Sequence, residues 1–293
     1  MKFQIQNSSN LCLIPYIGNK SRFANVFDQL IPTKFSNLKF YDVFGGGAGF
    51  TLYACERFGS KNVIYNDNNH ALVNFITFVK LDPGGLIHEY KKHQKKSSRN
   101  YYNEIRDKNI SEGLVGAGRF FYLAKNAFSG KIRFNTKGKF NCPMRKETKC
   151  RNVNEQRIFY ISSLIKNLKI SAHSFEEFYD TKSSFIYLDP PYSYNTNRHY
   201  SGSIDVNKFI VFLNNISMKN KVLLSEKHIP KIFNLSKKFY IHDILIKRNL
   251  QYFTNEKNEE KICANYSIPK QYLEDIVESP IYLQRNTINI NLR

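Results

Sequence analysis

The stretch "FYDVFGGGAGFTLYACERFGSKNVIYNDNNHALVNFITFV", residues 40–79, reads as a short strand running into a glycine-rich turn and then a helix that stops at Gly59. A second strand follows, then an acidic turn at Asp67 and a second helix. That is β-α-β-α, the start of a parallel sheet. Outward from it the alternation breaks. From about Leu81 to Asn167 the chain carries a lysine run, "KKHQKK", then "RNYYNEIRD" and the glycine- and lysine-laden "SGKIRFNTKGKFNCPMRK", so this part reads as an inserted segment of different character. Alternation returns with "LKISAHSF" (168–175), "SFIYLDPPY", a helix across Asp205 to Ser217 and the strand "KVLLSE" (221–226). "IHDILIK" and "EKICANYSI" then read as an antiparallel pair, and no internal repeat is visible.

The 293 residues suffice for one large domain with an insertion or two modest domains. Apolar residues make up 42% of the chain and aromatics 15%, which excludes a disordered polypeptide. The first twelve residues lack an apolar signal-peptide core and no run of eighteen apolar residues occurs, so a cytoplasmic address is expected and no membrane partner. The five cysteines (Cys12, Cys55, Cys142, Cys150, Cys263) are odd in number and form no C-x-x-C pair, which argues against a disulfide framework or a zinc site. With 44 Lys and Arg against 24 Asp and Glu, the formal charge of +20 makes nucleic acid the leading partner class. A membrane surface is the weaker alternative, because no basic segment carries a clean apolar stripe.

Closely spaced glycines after a strand let backbone amides approach a ligand, and a carboxylate at the end of the next strand can grip two ribose hydroxyls. Asp67 stands at that position. A dinucleotide fingerprint requires G-x-G-x-x-G, yet Gly45 and Gly47 are followed by Phe50 where the third glycine belongs, so a nicotinamide enzyme is disfavoured.

A second decisive run is "SFIYLDPPYSYN", residues 184–195. Its apolar residues read as a buried strand ending on an acid, two prolines and an aromatic. Asp189 and Pro190 each precede a proline and are pushed out of helical geometry, which stiffens the turn. The Asp189 carboxylate and the Pro190 carbonyl become two fixed acceptors beside Pro191 and the Tyr192 ring, at the strand end where ligands bind in such sheets. The exocyclic amine of adenine offers two N–H donors and a lone pair delocalised into its ring. Two acceptors favour a more tetrahedral nitrogen, able to attack an electron-poor methyl such as that of a sulfonium. A duplex hides that amine, so the base must leave the stack, and Tyr192 offers a surface to receive it.

These features together resemble the Dam-like adenine-specific DNA methyltransferases, which use S-adenosylmethionine. "PYIGNKSRF" (15–23) is similar to the family's amino-terminal cofactor segment, with Tyr16 and Lys20 at its aromatic and lysine positions. "DVFGGGAGF", holding Asp42, Phe44, Gly45 and Gly47, resembles the glycine turn, and "YNDNN" its ribose-binding acid. "HSFEEF" (173–178), with Ser174 and Phe175, resembles the adenine-flanking segment, "LDPPY" the catalytic loop and "VLLSEKH" the serine-bearing strand after it. The motif order is that of the alpha group.

The resemblance implies an α/β, Rossmann-like methyltransferase fold with a mixed seven-stranded sheet. Residues 1–81 and 167–293 would form the catalytic domain, and 82–166 a mainly helical target-recognition domain ending in a hairpin. "NAFSGKIRFNTKGKFNCP" (126–143) is similar to the target-reading hairpin. It interleaves Phe128, Phe134 and Phe140 with Lys131, Arg133, Lys137 and Lys139, a mix that lets one face touch bases and the other phosphates. By resemblance Phe128 and Ser129 sit near the gap left by the flipped base, and Arg133 reads a guanine edge unless it holds a phosphate; Asn135 belongs to the same DNA-contacting set. Ser129 stands where GATC-reading members commonly carry asparagine, and Lys131 where they carry an apolar residue, which puts a GATC target in question. The implied partners are double-stranded DNA and a cognate restriction endonuclease, with the enzyme a monomer or weak dimer and no metal. Cytosine 4-amine in DNA, adenine in RNA, and a non-catalytic DNA-binding module are the competing readings.

Overall fold

The computed structural model of the chain describes residues 11–16, 18–108, 110, 112–135, 138–146, 150–191, 204–226, 240–246, 259–268 and 282–284, with backbone alone for Arg22, 240–246, 259–261 and 282–284. The described residues within Met1–Ala24 and Asp42–Phe175 cluster as one compact unit, and those within Asn25–Tyr41, Glu176–Thr196 and Ser203–Arg293 as a second.

The first unit opens from the last residue of β1 (Lys39–Asp42) through the glycine turn into α2 (Gly49–Phe58). Gly59, at φ 81°, ends that helix as expected, since only glycine takes this conformation without strain. β2 (Val63–Asn66) leads to α3 (His70–Leu81), whose start is fixed by Asn69 accepting from the Ala71 and Leu72 N–H groups. α4 (Pro83–Lys95), α5 (Arg99–Asp107) and α6 (Gly113–Asn126) follow, each of the first two opened by a capping side chain, Asp82 and Ser98. α6 is buried along nearly its whole length. It approaches α4 closely enough that a Cβ on Gly118 would lie 2.3 Å from the Glu89 Cβ. Phe75 of α3 packs on Phe120 and Phe121 of α6, and Tyr90 of α4 on Phe121, giving this unit an aromatic core. Buried Arg119 closes the end of α5 by donating to the Ile105, Arg106 and Ile110 carbonyls.

After the hairpin comes a helix that the sequence reading did not place, α7 (Glu155–Leu164), with Ile158 and Ile161 spaced to face the core. β3 (Lys169–Ser171) then returns beside β2 in parallel, pairing Ile64 with Lys169 and Asn66 with Ser171.

In the second unit, α1 (Ala24–Leu30) from Asn25 onward and β1 up to Tyr41 accompany β4 (Ser184–Leu188), α8 (Val206–Lys219) and β5 (Lys221–Glu226). β6 (Tyr240–Ile246), β7 (Glu259–Ala264) and β8 (Tyr282–Gln284) complete it. Its strand order is β1-β4-β5-β7-β6-β8. β4 and β5 run parallel, and β7 lies antiparallel between β5 and β6, so the sheet is mixed. All five residues of β4 are buried, as the uninterrupted apolar run requires of a strand covered on both faces. Phe185 packs against Phe35, Phe40 and Tyr266, Tyr187 packs on Phe27, and the Tyr266 hydroxyl donates to the Leu30 carbonyl at 3.0 Å.

The described residues hold eight strands rather than the seven expected. The addition is β8, which pairs antiparallel with the edge of β6 over three residues. A strand so short has too few positions to show an alternating pattern in the sequence.

Candidate cofactor and catalytic site

In the first unit the glycine turn is built by contacts that leave no room for side chains. The Gly45 N–H donates to the Asn66 carbonyl at 2.7 Å, and a Cβ there would lie 2.2 Å from the Tyr65 ring. The Tyr65 hydroxyl, its titration pushed well up by burial, stays protonated and donates to the Gly46 carbonyl at 3.0 Å. On the opposite side Tyr16 covers the turn: a Cβ on Gly47 would meet the Tyr16 Cβ at 2.9 Å. Gly49 sits equally close to Asn19 and the Lys20 and Ser21 amides, which seats the "PYIGNKSRF" segment on the start of α2. Lys20 is 4% exposed; its Nζ donates to the Gly18 carbonyl and lies 5.6 Å from the Phe23 ring centre. Buried Asp42 accepts from the Thr51 N–H and hydroxyl through Oδ2, anchoring the first turn of α2.

Asp67 is half-buried just past β2. Its Oδ2 accepts from the Gly46 N–H at 2.9 Å and its Oδ1 from the Asn69 N–H at 2.8 Å. Burial pushes its carboxyl above the usual range, and those two N–H groups pull it back down without overcoming burial. Each oxygen keeps a lone pair for a hydroxyl donor. Phe44 and Phe175 meet with ring centres 5.9 Å apart, and Ser174 beside them is exposed. The sequence-derived set Tyr16, Phe44, Gly45, Gly47, Asp67 and Phe175 therefore surrounds one turn. A carboxylate with spare acceptors at the glycine turn suits ribose hydroxyls, and an aromatic pair carried by the segment that enters that turn suits a flat base.

In the second unit β4 delivers half-buried Asp189, buried Pro190 and exposed Pro191 at its end. Tyr192 lies outside the described residues, as do Lys137 and the Lys227–His228 end of "VLLSEKH".

The hairpin divides its aromatics between packing and exposure. Antiparallel bridges join Ala127 to Met144 and Phe134 to Phe140. Of the three interleaved aromatics, Phe140 is 4% exposed and half-buried Phe134 stacks parallel on Phe120 at 6.5 Å, so both pack against α6. Phe128 alone, 41% exposed, faces outward, with Lys131 Nζ 6.0 Å from its ring centre. Ser129 adopts φ 53° and Gly130 φ 65° with a Cβ position 2.8 Å from Pro15, a tight turn that presents Phe128. Asn135 spends its side-chain oxygen on the Lys139 N–H, closing the hairpin tip, while Arg133 and Lys139 flank it.

Sequence reasoning missed Tyr65 and Asn66. Both are buried polar-tipped residues on β2 immediately before Asp67, and a polar residue inside an apolar strand was the available signal.

Residues 16–250 match the family model of the D12 class N6 adenine-specific DNA methyltransferases. The chain is 29% identical over 275 residues to the type II methyltransferase M1.LlaDCHI of Lactococcus lactis subsp. cremoris, covering 86% of this chain and 94% of that one. It is 29% identical over 197 residues to the type II methyltransferase M.MjaIII of Methanocaldococcus jannaschii, covering 61% of this chain and 68% of the relative. A DNA adenine methylase of Vibrio cholerae matches at 29% over 154 residues, 51% of this chain and 54% of that one. The chain belongs to the D12 class N6 adenine-specific DNA methyltransferase family, and it is an adenine-specific DNA methyltransferase. Cytosine and RNA are thereby set aside as the acceptor.

Proposed function

We propose that the methyl donor is S-adenosylmethionine, bound at the glycine turn, and that the acceptor is an adenine flipped out of double-stranded DNA. The observation that carries this reading is Asp67 held by the Gly46 and Asn69 amides with acceptor capacity to spare, with the Phe44–Phe175 pair in the same unit. Asp67 takes the ribose hydroxyls and the two rings take the adenine of the cofactor. Tyr16, Lys20, Asp42, Gly45, Gly47 and Ser174 shape and close that cleft. The bound sulfonium supplies an electron-poor methyl group.

Asp189 and the Pro190 carbonyl accept the two hydrogens of the target amine, orient its lone pair and draw off the proton that must leave. Pro191 stiffens the loop and Tyr192 stacks on the base. Residues 82–166 read the DNA, with Phe128 and Ser129 near the vacated position and Lys131, Arg133, Asn135, Lys137 and Lys139 along the strand. Residues 1–81 and 167–293 form the catalytic part. A cognate restriction endonuclease, a monomeric or weakly dimeric enzyme and a cytoplasmic setting complete the proposal; among the described residues no helix is long and apolar enough to cross a membrane.

Asp189→Ala tests the catalytic assignment. Asp189 is also counted among the residues that contact the cofactor; methyl transfer should drop by about 10³-fold, the scale of losing a charge-placing group, while duplex binding persists. Retained turnover would remove Asp189 from the chemistry.

A further inference from the structure

Asn66 is the last residue of β2 and is 1% exposed. Its side chain makes four hydrogen bonds. Nδ2 donates to the Val43 carbonyl and to the His173 carbonyl, both at 3.0 Å. Oδ1 accepts from the Ser171 hydroxyl at 2.8 Å and the His173 N–H at 2.9 Å. Val43 directly precedes Phe44, and His173 lies two residues before Phe175. One amide thus ties together the two backbone segments that carry the aromatic pair, and the next residue in the chain is Asp67.

We propose that Asn66 is a positioning residue for cofactor binding: it fixes the spacing of Phe44 and Phe175 and the placement of Asp67, and so sets affinity for the adenosine half of the donor. The proposal rests on the cofactor cleft described under the proposed function. Only an amide meets the demand, because two carbonyls need donors while a hydroxyl and an N–H need acceptors. An aspartate has no donor for the carbonyls and would turn a charge toward them. An alanine leaves the buried Val43 carbonyl without this donor and cuts the ties to Ser171 and to both backbone groups of His173. The bonds reach one residue before Phe44 and two before Phe175, so a shift of either segment would carry an aromatic ring with it.

The test measures dissociation constants of S-adenosylmethionine, of adenosine and of duplex DNA for the wild-type chain, Asn66→Ala and Ser171→Ala, below each variant's melting temperature. Asn66→Ala should weaken S-adenosylmethionine and adenosine by the same factor, about 10-fold or more, because the penalty of unpaired buried groups falls on the cleft. DNA affinity should stay within about 2-fold, since the hairpin does not depend on these bonds. Ser171→Ala, which removes one bond of the four, should weaken both ligands by a smaller equal factor and keeps the test decisive where Asn66→Ala does not fold. Unchanged adenosine affinity in either folded variant overturns the proposal. So does a parallel loss of DNA binding, which would mark Asn66 as a general stabiliser. A wild-type chain that binds no S-adenosylmethionine would instead overturn the reading of the cleft itself.

Discussion

At the scale of single residues, the proposed ribose contact of Asp67 makes cofactor binding depend on pH. Burial raises its carboxyl pKa in the folded, cofactor-free chain, whereas ribose hydroxyls donate to the ionised form. As pH falls through that raised pKa the carboxylate protonates and cofactor affinity should weaken; above it affinity should be flat. The same shift has the opposite sign for stability. Its contribution is fully present below the unfolded pKa and lost as pH rises through the folded one. Calorimetric titration and melting across pH should show both trends, and Asp67→Asn should abolish both. A pH-independent affinity in the wild-type chain would remove Asp67 from the ribose. Gly45 gives a second expectation. Its Cβ position lies 2.2 Å from the fully buried Tyr65 ring, which has nowhere to move, so Gly45→Ala should cost roughly 1–3 kcal/mol in urea unfolding. A cost near zero would mean the turn relaxes away from Tyr65. Asp67 and the glycines were legible in the sequence because their chemistry is local to one turn. Asn66 was not, since its partner His173 lies 107 residues further along and no pattern within β2 announces it.

Among the elements, the hairpin shows how the same residue type takes opposite duties. Phe140, buried against Phe120 and Phe134, should cost about 3–5 kcal/mol when cut to alanine, whereas exposed Phe128→Ala should leave stability within about 0.5 kcal/mol and lower discrimination among DNA sequences. Melting curves beside competition binding separate the two, and similar melting of both variants would show that Phe140 is not an anchor. The sequence showed a mix of aromatic and basic residues without saying which rings pack; the pairing of Phe134 with Phe140 puts those two on one side of the hairpin, against Phe120. The lysine run on α4 divides likewise. Lys91 pairs with Glu155 at 2.7 Å and Lys92 with Glu89 at 2.6 Å, while Lys95 and Lys96 have no ion pair among the described residues. Each unpaired lysine that contacts phosphate should add about 0.9 to the salt slope of DNA binding. Lys95→Gln with Lys96→Gln should therefore flatten that slope more than Lys91→Gln with Lys92→Gln. Equal effects would show that the pairing does not matter to DNA.

Across the whole molecule, the β-α-β-α opening, the all-buried β4 and the antiparallel β6 and β7 were readable from hydrophobic period and turn residues. The helix α7 after the hairpin and the three-residue β8 were not, the first because exposed Phe159 and Tyr160 blur its Ile158–Ile161 spacing, the second because it is too short to carry a pattern. The excess of 20 positive charges is a property of the whole chain and says polyanion without saying which base is modified. The proposed function assigns that distinction to the end of β4 and to the cleft around Asp67. Incubation of the chain with S-adenosylmethionine labelled in its methyl group and with duplexes containing or lacking adenine tests the two together. Label recovered as N6-methyladenine, only from adenine-containing duplexes, is the expected result; label on cytosine, or no label on any duplex tested, would contradict it.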